Sequence, residues 1–212
     1  MNRRIFSAVG MTVLLAALTQ SAEAQVGKNN SGIVDPNLAT KEQLMTMPLV
    51  DAALADAIIK GRPYADMLAL DRVVPLNAQQ KVELYRKLFM PINLNTASRA
   101  EILLVPGVGA RMAHEFEEYR PYPALAKFRR EIGKYVDANE VARLEQYVFI
   151  PINLNTATDA DILTIPGLGQ RMLHEFKEYR PYRNIEQFRR EIGKYVSKDE
   201  VARLERYVVI QP

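Results

Sequence analysis

The chain has 212 residues, of which 48% are hydrophobic and 25% charged, with a formal net charge of +3. This length and composition indicate one or two globular domains and exclude wholesale disorder. Because the chain has no cysteine, disulfides, thiolate metal sites and cysteine nucleophiles are excluded. No cluster of metal ligands surrounds His114 or His174, and we find no nucleophile–base pair and no phosphate-binding P-loop. We therefore expect no metal, no cofactor and no enzymatic activity.

The first segment has the pattern of a targeting signal. Arg3 and Arg4 precede a mostly apolar run over residues 5–18, and Ala22-Glu23-Ala24 matches the small-x-small pattern of signal-peptidase cleavage. A membrane anchor is the alternative, but the apolar run is shorter than the ~20 residues of a comfortable membrane span. We predict a signal peptide over residues 1–24, hence an exported, periplasmic or extracytoplasmic protein without a stable membrane span after cleavage.

A repeat of about 60 residues fills the chain behind a flexible leader at residues 25–33. Residues 91–150 and 151–210 align without a gap and are roughly two-thirds identical. A more diverged copy occupies residues 34–90, where Leu49 and Asp51 replace the two glycines of a Pro-Gly-x-Gly turn. We therefore predict three repeats, at residues 34–90, 91–150 and 151–212, of which the first is degenerate and serves as a structural cap.

Within residues 91–150, helical periodicity and capping signals predict four short helices. The first begins near Ser98 and stops at Pro106, the second runs from Gly109 to Pro121, and the others cover about 124–132 and 138–149. Capping boxes are predicted for Ser98 with Glu101, Asp137 with Glu140, Ser197 with Glu200, Thr40 with Gln43 and Asn77 with Gln80, and a weaker one for Thr158 with Asp161. No long strand-like alternation occurs. The predicted fold is all-α, with three tandem helix-hairpin-helix repeats of about four short helices each.

The turn Pro106-Gly107-Val108-Gly109 leads directly into a helix, and the third repeat has the same arrangement at residues 166–169. Glycines permit a tight turn with positive φ, and the first N–H groups of the following helix are unpaired at its positive end. Such a helix start attracts anions, including phosphate. The alternative is that the glycines simply form a tight turn between two helices.

The run Leu94-Asn95-Thr96-Ala97, the Pro-Gly-x-Gly turn and Tyr119-Arg120 resemble the ComEA-type helix-hairpin-helix proteins, which are exported DNA receptors of natural transformation. The resemblance implies DNA contacts through hairpin amides and the adjacent basic side chain. In this sequence they fall on Gly107, Val108, Gly109, Ala110 and Arg111, and on Gly167, Leu168, Gly169, Gln170 and Arg171.

The helix after each hairpin is acidic, with Glu115, Glu117 and Glu118 in the second repeat, and carboxylates there repel a phosphate ligand. A compensating basic face is predicted from six residues: Arg129, Arg130, Lys134, Arg189, Arg190 and Lys194. Alternatively, these side chains form a solvated helix face paired with nearby glutamates.

Together, these patterns lead us to expect an exported, non-enzymatic protein that binds duplex DNA without sequence preference, with DNA uptake (competence) as the candidate process. The hairpin amides would contact the phosphates. The alternative is an extracytoplasmic structural or protein-interaction scaffold that binds a protein partner and no DNA.

Overall fold

A computed structural model describes residues 32–211 of the chain. The predicted signal peptide and most of the leader lie outside the described residues, so export stays a prediction. The mainly helical fold is confirmed. In the described part of the chain, no helix combines the length and the apolar character needed to cross a bilayer.

Twelve helices follow one another along the described residues. The first four are α1 (Lys41–Met45), α2 (Ala52–Lys60), α3 (Met67–Val73) and α4 (Ala78–Tyr85). The next four are α5 (Arg99–Ile102), α6 (Ala110–Glu118), α7 (Leu125–Ile132) and α8 (Ala138–Glu145). The last four are α9 (Asp159–Ile162), α10 (Gln170–Glu178), α11 (Ile185–Ile192) and α12 (Lys198–Glu205). The repeat boundaries given above stay a prediction.

Besides the helices, the described residues contain four strands of two residues each. β1 (Ile92–Asn93) pairs in parallel with β2 (Val148–Phe149), and β3 (Ile152–Asn153) pairs with β4 (Val208–Val209). The predicted helix over 138–149 therefore ends early, at Glu145, because its last residues instead bond to the segment that opens the same repeat. Backbone bonds from Ile92 N to Tyr147 O (2.9 Å) and from Leu94 N to Phe149 O (3.0 Å) fix this pairing.

The residues on which the family resemblance depended hold each repeat together. Asn95 donates to Tyr122 O (2.9 Å) and accepts from Tyr122 N (2.6 Å). Arg120 donates to the carbonyls of Leu94 and Ala97, at 2.6 and 2.7 Å. The Asn–Tyr and Arg–carbonyl bonds recur with Asn37, Tyr64 and Arg62, and with Asn155, Tyr182 and Arg180. This part of the motif is therefore structural, because it satisfies partly buried backbone groups.

The predicted helix caps form, but not all as reciprocal boxes. Ser98, Asp137 and Ser197 each accept a backbone N–H three residues on. Their glutamate partners do not reach back: Glu101 accepts instead from Met67 N (3.3 Å), and the other two pair with arginines. The pair expected to be weak, Thr158 with Asp161, forms the complete box. A distant backbone group thus takes the glutamate in one case, and an arginine of the same helix takes it in the other two.

The repeats pack directly against one another. Phe89 lies edge-on to Tyr147, with ring centroids 5.0 Å apart, and one apolar core runs through the first and second repeats. Phe149 and Tyr207, 4.6 Å apart, belong to the core of the third repeat. Arg206 Nη2 donates to Pro91 O (3.1 Å) across repeats. Contacts between residues that are distant in sequence therefore join the repeats.

Candidate phosphate-binding site

Two glycine turns have the backbone geometry that their sequence predicts. In the second hairpin (residues 105–109) Gly107 has φ +84°, and in the third hairpin (residues 165–169) Gly167 has φ +74°. Each turn is closed by a backbone bond, from Val108 N to Val105 O (3.0 Å) and from Leu168 N to Ile165 O (3.1 Å). Positive φ is strained for side-chain-bearing residues, so glycine is the natural residue at these positions.

The helices that follow these turns start without a side-chain cap. Gly109 precedes α6 and Gly169 precedes α10, and neither N-cap has a side-chain hydrogen bond. The first intrahelical bonds come from Ala113 N and Leu173 N, which leaves the preceding amides without a helical acceptor. A Cβ built on either N-cap glycine would meet no described atom within 4 Å. An approaching anion therefore has room to reach these amides.

The first hairpin (residues 47–51) shows what such a helix start accepts. Asp51 stands where the other hairpins have Gly109 and Gly169, and its carboxylate accepts from Leu54 N at 2.8 Å. Leu49 holds the left-handed backbone of this turn at φ +63° despite its side chain. The first repeat thus places the Asp51 carboxylate at its helix start, whereas in the other two repeats a glycine leaves that position without a side chain.

The predicted hairpin contacts of both repeats are brought together at these turns, with Gly107, Gly109 and Ala110 exposed and Val108 buried beneath them. Gly167, Gly169 and Gln170 are likewise exposed, with Leu168 buried. Arg111 and Arg171, which follow, are also exposed.

The six residues expected to form a basic face all have acidic partners. Arg129 forms two bonds with Glu145 (2.6 and 2.5 Å), and Arg189 does the same with Glu205 (2.7 and 2.5 Å). Arg130 and Lys134 both contact Glu131, and Arg190 and Lys194 both contact Glu191. The lysines and arginines lower the pKa of these two glutamates through hydrogen bonds. In each repeat two glutamates thus offset most of the charge of three cations, as in the alternative interpretation.

Two arginines that the sequence did not single out lie beside the second hairpin. Arg143 Nη2 would be 2.9 Å from a Cβ on Gly107. Arg99 donates to Ala110 O (3.0 Å) and to Glu117 (2.6 Å), which offsets part of the acidic character of α6. Arg143 is distant from the hairpin in sequence, whereas Arg99 begins α5, the helix that leads into it, and only the recurrence of Arg143 as Arg203 could have drawn attention to Arg143.

Within residues 32–211, no group of three or more His, Cys, Asp or Glu side chains is placed so that it could hold a metal ion. His114 and His174 are exposed and lie 3.8 and 3.6 Å from Glu118 and Glu178.

Comparison with known proteins gives two distant relatives. The chain is 26% identical over 167 residues to the bovine (Bos taurus) endonuclease/exonuclease/phosphatase family domain-containing protein 1, covering 71% of this chain and 24% of that protein. It is 26% identical over 129 residues to the Xenopus laevis protein of the same name, covering 45% of this chain and 23% of that protein. The chain thus spans about a quarter of the length of these relatives. No protein-family model and no solved structure matches it.

These findings correct four expectations. The assignment to the ComEA-type family is wrong, because the relatives carry a different name and no family model matches. The expected functions, DNA binding in competence or a scaffold without DNA binding, are contradicted by the same names, as is the expectation of a non-enzymatic protein. The expected partners, duplex DNA or an extracytoplasmic protein, are tested by none of this and stay predictions.

Proposed function

We propose that this chain holds the phosphate group of a phosphate-ester substrate for a nuclease- or phosphatase-type reaction. The observation that carries the proposal is the contrast between Asp51 and the glycines Gly109 and Gly169. A carboxylate caps the helix start in the first repeat, and the two glycine repeats leave equivalent amides open to solvent. Two or more converging N–H groups at the positive end of a helix bind phosphate oxygens well.

The names of the distant relatives support the reaction class. Both are named for an endonuclease/exonuclease/phosphatase family domain, and enzymes of these three types act on phosphate esters. Because the chain aligns with about a quarter of each relative, we assign substrate holding to the aligned segment, and the names of the relatives supply the reaction class.

The test exploits the internal cap of the first repeat. A double variant Gly109→Asp/Gly169→Asp places a carboxylate where Asp51 already stands, and the free space above both glycines accommodates it. We expect the variant to stay folded and to bind a labelled oligonucleotide about tenfold more weakly, because like charges repel and the amides are occupied. The matched control Gly109→Asn/Gly169→Asn adds a side chain of the same size and shape without the charge and should bind more tightly than the aspartate variant.

Turnover is followed in the same samples, as cleavage of the oligonucleotide or release of phosphate with divalent cations added or chelated. We expect turnover by the wild-type chain and slower turnover, through a raised KM, in the aspartate variant. Equal binding by the wild type and the aspartate variant would show that the hairpins do not hold phosphate. Tight binding without any turnover would remove the reaction class from the proposal.

A further inference from the structure

The Arg143 guanidinium lies against the hairpin, where a side chain on Gly107 would stand. The Arg143 guanidinium Nη2 is 2.9 Å from the position of a Cβ on Gly107, closer than Cβ atoms are normally approached. Glycine therefore serves two purposes at this position. It permits the positive φ of the turn, and it lets the guanidinium lie against the hairpin backbone.

The first repeat lacks both members of this pair. Leu49 replaces the glycine, and Glu83 stands at the position that corresponds to Arg143 when Asn77 is aligned with Asp137. Gln80 likewise replaces Glu140. The repeat that fills its helix start with Asp51 thus also has an anion at the sequence position of Arg143. The arginine occurs where the hairpin is open to an external anion.

Neighbouring groups hold the Arg143 guanidinium in one orientation, but not all of its N–H donors are hydrogen-bonded. Its Nε and Nη2 donate to the two carboxylate oxygens of Glu140, at 2.7 and 2.6 Å, and its guanidinium lies 5.7 Å from the Tyr147 ring centroid. About a third of the side chain (34%) is exposed, and Nη1 has no hydrogen-bond partner among the described residues. A guanidinium held in this way offers donors to a phosphate with little further loss of side-chain entropy.

The corresponding residue of the third repeat, Arg203, differs in its burial and hydrogen bonds. Arg203 is only 3% exposed, and its Nη1 donates to Pro166 O at 2.7 Å. Leu38 of the first repeat comes within 3.1 Å of a Cβ on Gly167, so another repeat packs at this turn. The same atom that is free in Arg143 is therefore occupied in Arg203.

Charges near the helix starts also differ between the two repeats. Arg99 lies beside the start of α6, where it donates to Ala110 O, and Asp159 occupies the corresponding sequence position in the third repeat. Asp159 pairs with Lys177 at 2.6 Å. The ion pair is thus reversed between the two repeats, since Arg99 pairs with Glu117 and Asp159 with Lys177, and in the second repeat its cation also contacts the first residue of the helix after the hairpin.

From these observations we infer that Arg143 is a phosphate-binding residue of the second hairpin, and that Arg203, although identical in sequence, has a structural role. The inference rests on the proposed function and deepens it. It makes the second hairpin the stronger phosphate site and identifies the side chain that completes it.

The experiment measures affinity for a labelled single-stranded oligonucleotide, its salt dependence and the urea midpoint in matched variants. Arg143→Gln should weaken binding about tenfold and reduce the salt slope by about one phosphate contact, with only a small change in urea midpoint. Arg143→Lys keeps the charge and loses the planar fork, so its affinity should be intermediate. Arg203→Gln should lower the urea midpoint and leave the affinity within about twofold of the wild type.

Wild-type affinity and salt slope in both Arg143 variants, with a lowered urea midpoint, would show that Arg143 is structural and would overturn the inference. Equal losses of affinity in Arg143→Gln and Arg203→Gln would overturn the distinction between the hairpins. Failure of the proposed function has a different signature, since the Gly109→Asp/Gly169→Asp variant would then bind as the wild type does.

Discussion

The second and third hairpins differ at two of five residues, Val105 against Ile165 and Val108 against Leu168, and their backbones are alike. Their surroundings are not alike. At the second hairpin Arg143 is about one-third exposed, whereas at the third Arg203 is buried and bonded to a hairpin carbonyl. Near-identical local sequences therefore give the same turn and helix start, while contacts from other repeats determine which side chains remain available to a ligand.

The largest expected effect is a difference in protein stability between the Arg203→Gln and Arg143→Gln variants. Arg203→Gln removes a buried cation and leaves the Pro166 carbonyl without its donor, so we expect a loss of about 3 kcal/mol in the free energy of unfolding. Arg143→Gln removes a partly exposed ion pair and should cost roughly 1 kcal/mol or less. Urea unfolding followed by circular dichroism measures both. Equal losses would mean that the difference in burial has no energetic consequence.

A smaller effect is expected for alanine at the turn glycines. Gly107→Ala and Gly167→Ala each place a side chain at positive φ, which costs roughly 1 to 2 kcal/mol. We expect the larger loss at Gly167, because the new methyl group meets Leu38 at 3.1 Å and Arg203 at 3.4 Å. At Gly107 it meets only the partly exposed end of Arg143. Thermal unfolding of the two variants tests the order, and a greater loss at Gly107 would contradict it.

The smallest expected effect concerns pH and the first repeat's contact with the third. Burial raises the pKa of Asp35, and the nearby charges of Arg203 and Arg206 only partly counter this. The folded protein therefore holds this proton more tightly than the unfolded chain, so stability falls as the pH rises from about 4 through the raised pKa. Asp35→Asn removes that loss and should be more stable than the wild type at pH 7, with the difference shrinking towards pH 4.

Asparagine is a suitable replacement because Asn93 and Asn153 already stand at the matching positions of the other repeats. Asn93 accepts from Asn95 N at 2.9 Å, as Asp35 accepts from Asn37 N at 2.8 Å. Urea midpoints at pH 4, 5.5 and 7 make the comparison. A constant difference across this range would indicate that the carboxyl of Asp35 does not titrate differently in the folded protein.

Local sequence determined much of this protein. Periodic apolar residues, proline stops and capping residues predicted the helix starts at Ser98, Asp137 and Thr158, because these signals act within one turn of the chain. The Pro-Gly-x-Gly spacing predicted the left-handed glycines at 107 and 167 for the same reason. The turn residues of both candidate hairpin sites therefore follow from the amino-acid sequence alone.

Only the tertiary structure decided the rest. The parallel strand pairs β1–β2 and β3–β4 join residues more than fifty positions apart. Strands of two residues are too short to give a recognisable local sequence pattern, so the sequence did not predict them. The predicted basic residues Arg129 and Lys134 are paired with Glu145 and Glu131, whereas Arg143, which the sequence did not single out, lies against Gly107. Helix signals depend on interactions between residues that are close in sequence. Whether a charged side chain remains free to bind a ligand depends instead on which distant side chains pack beside it, and these contacts form only when the repeats pack together.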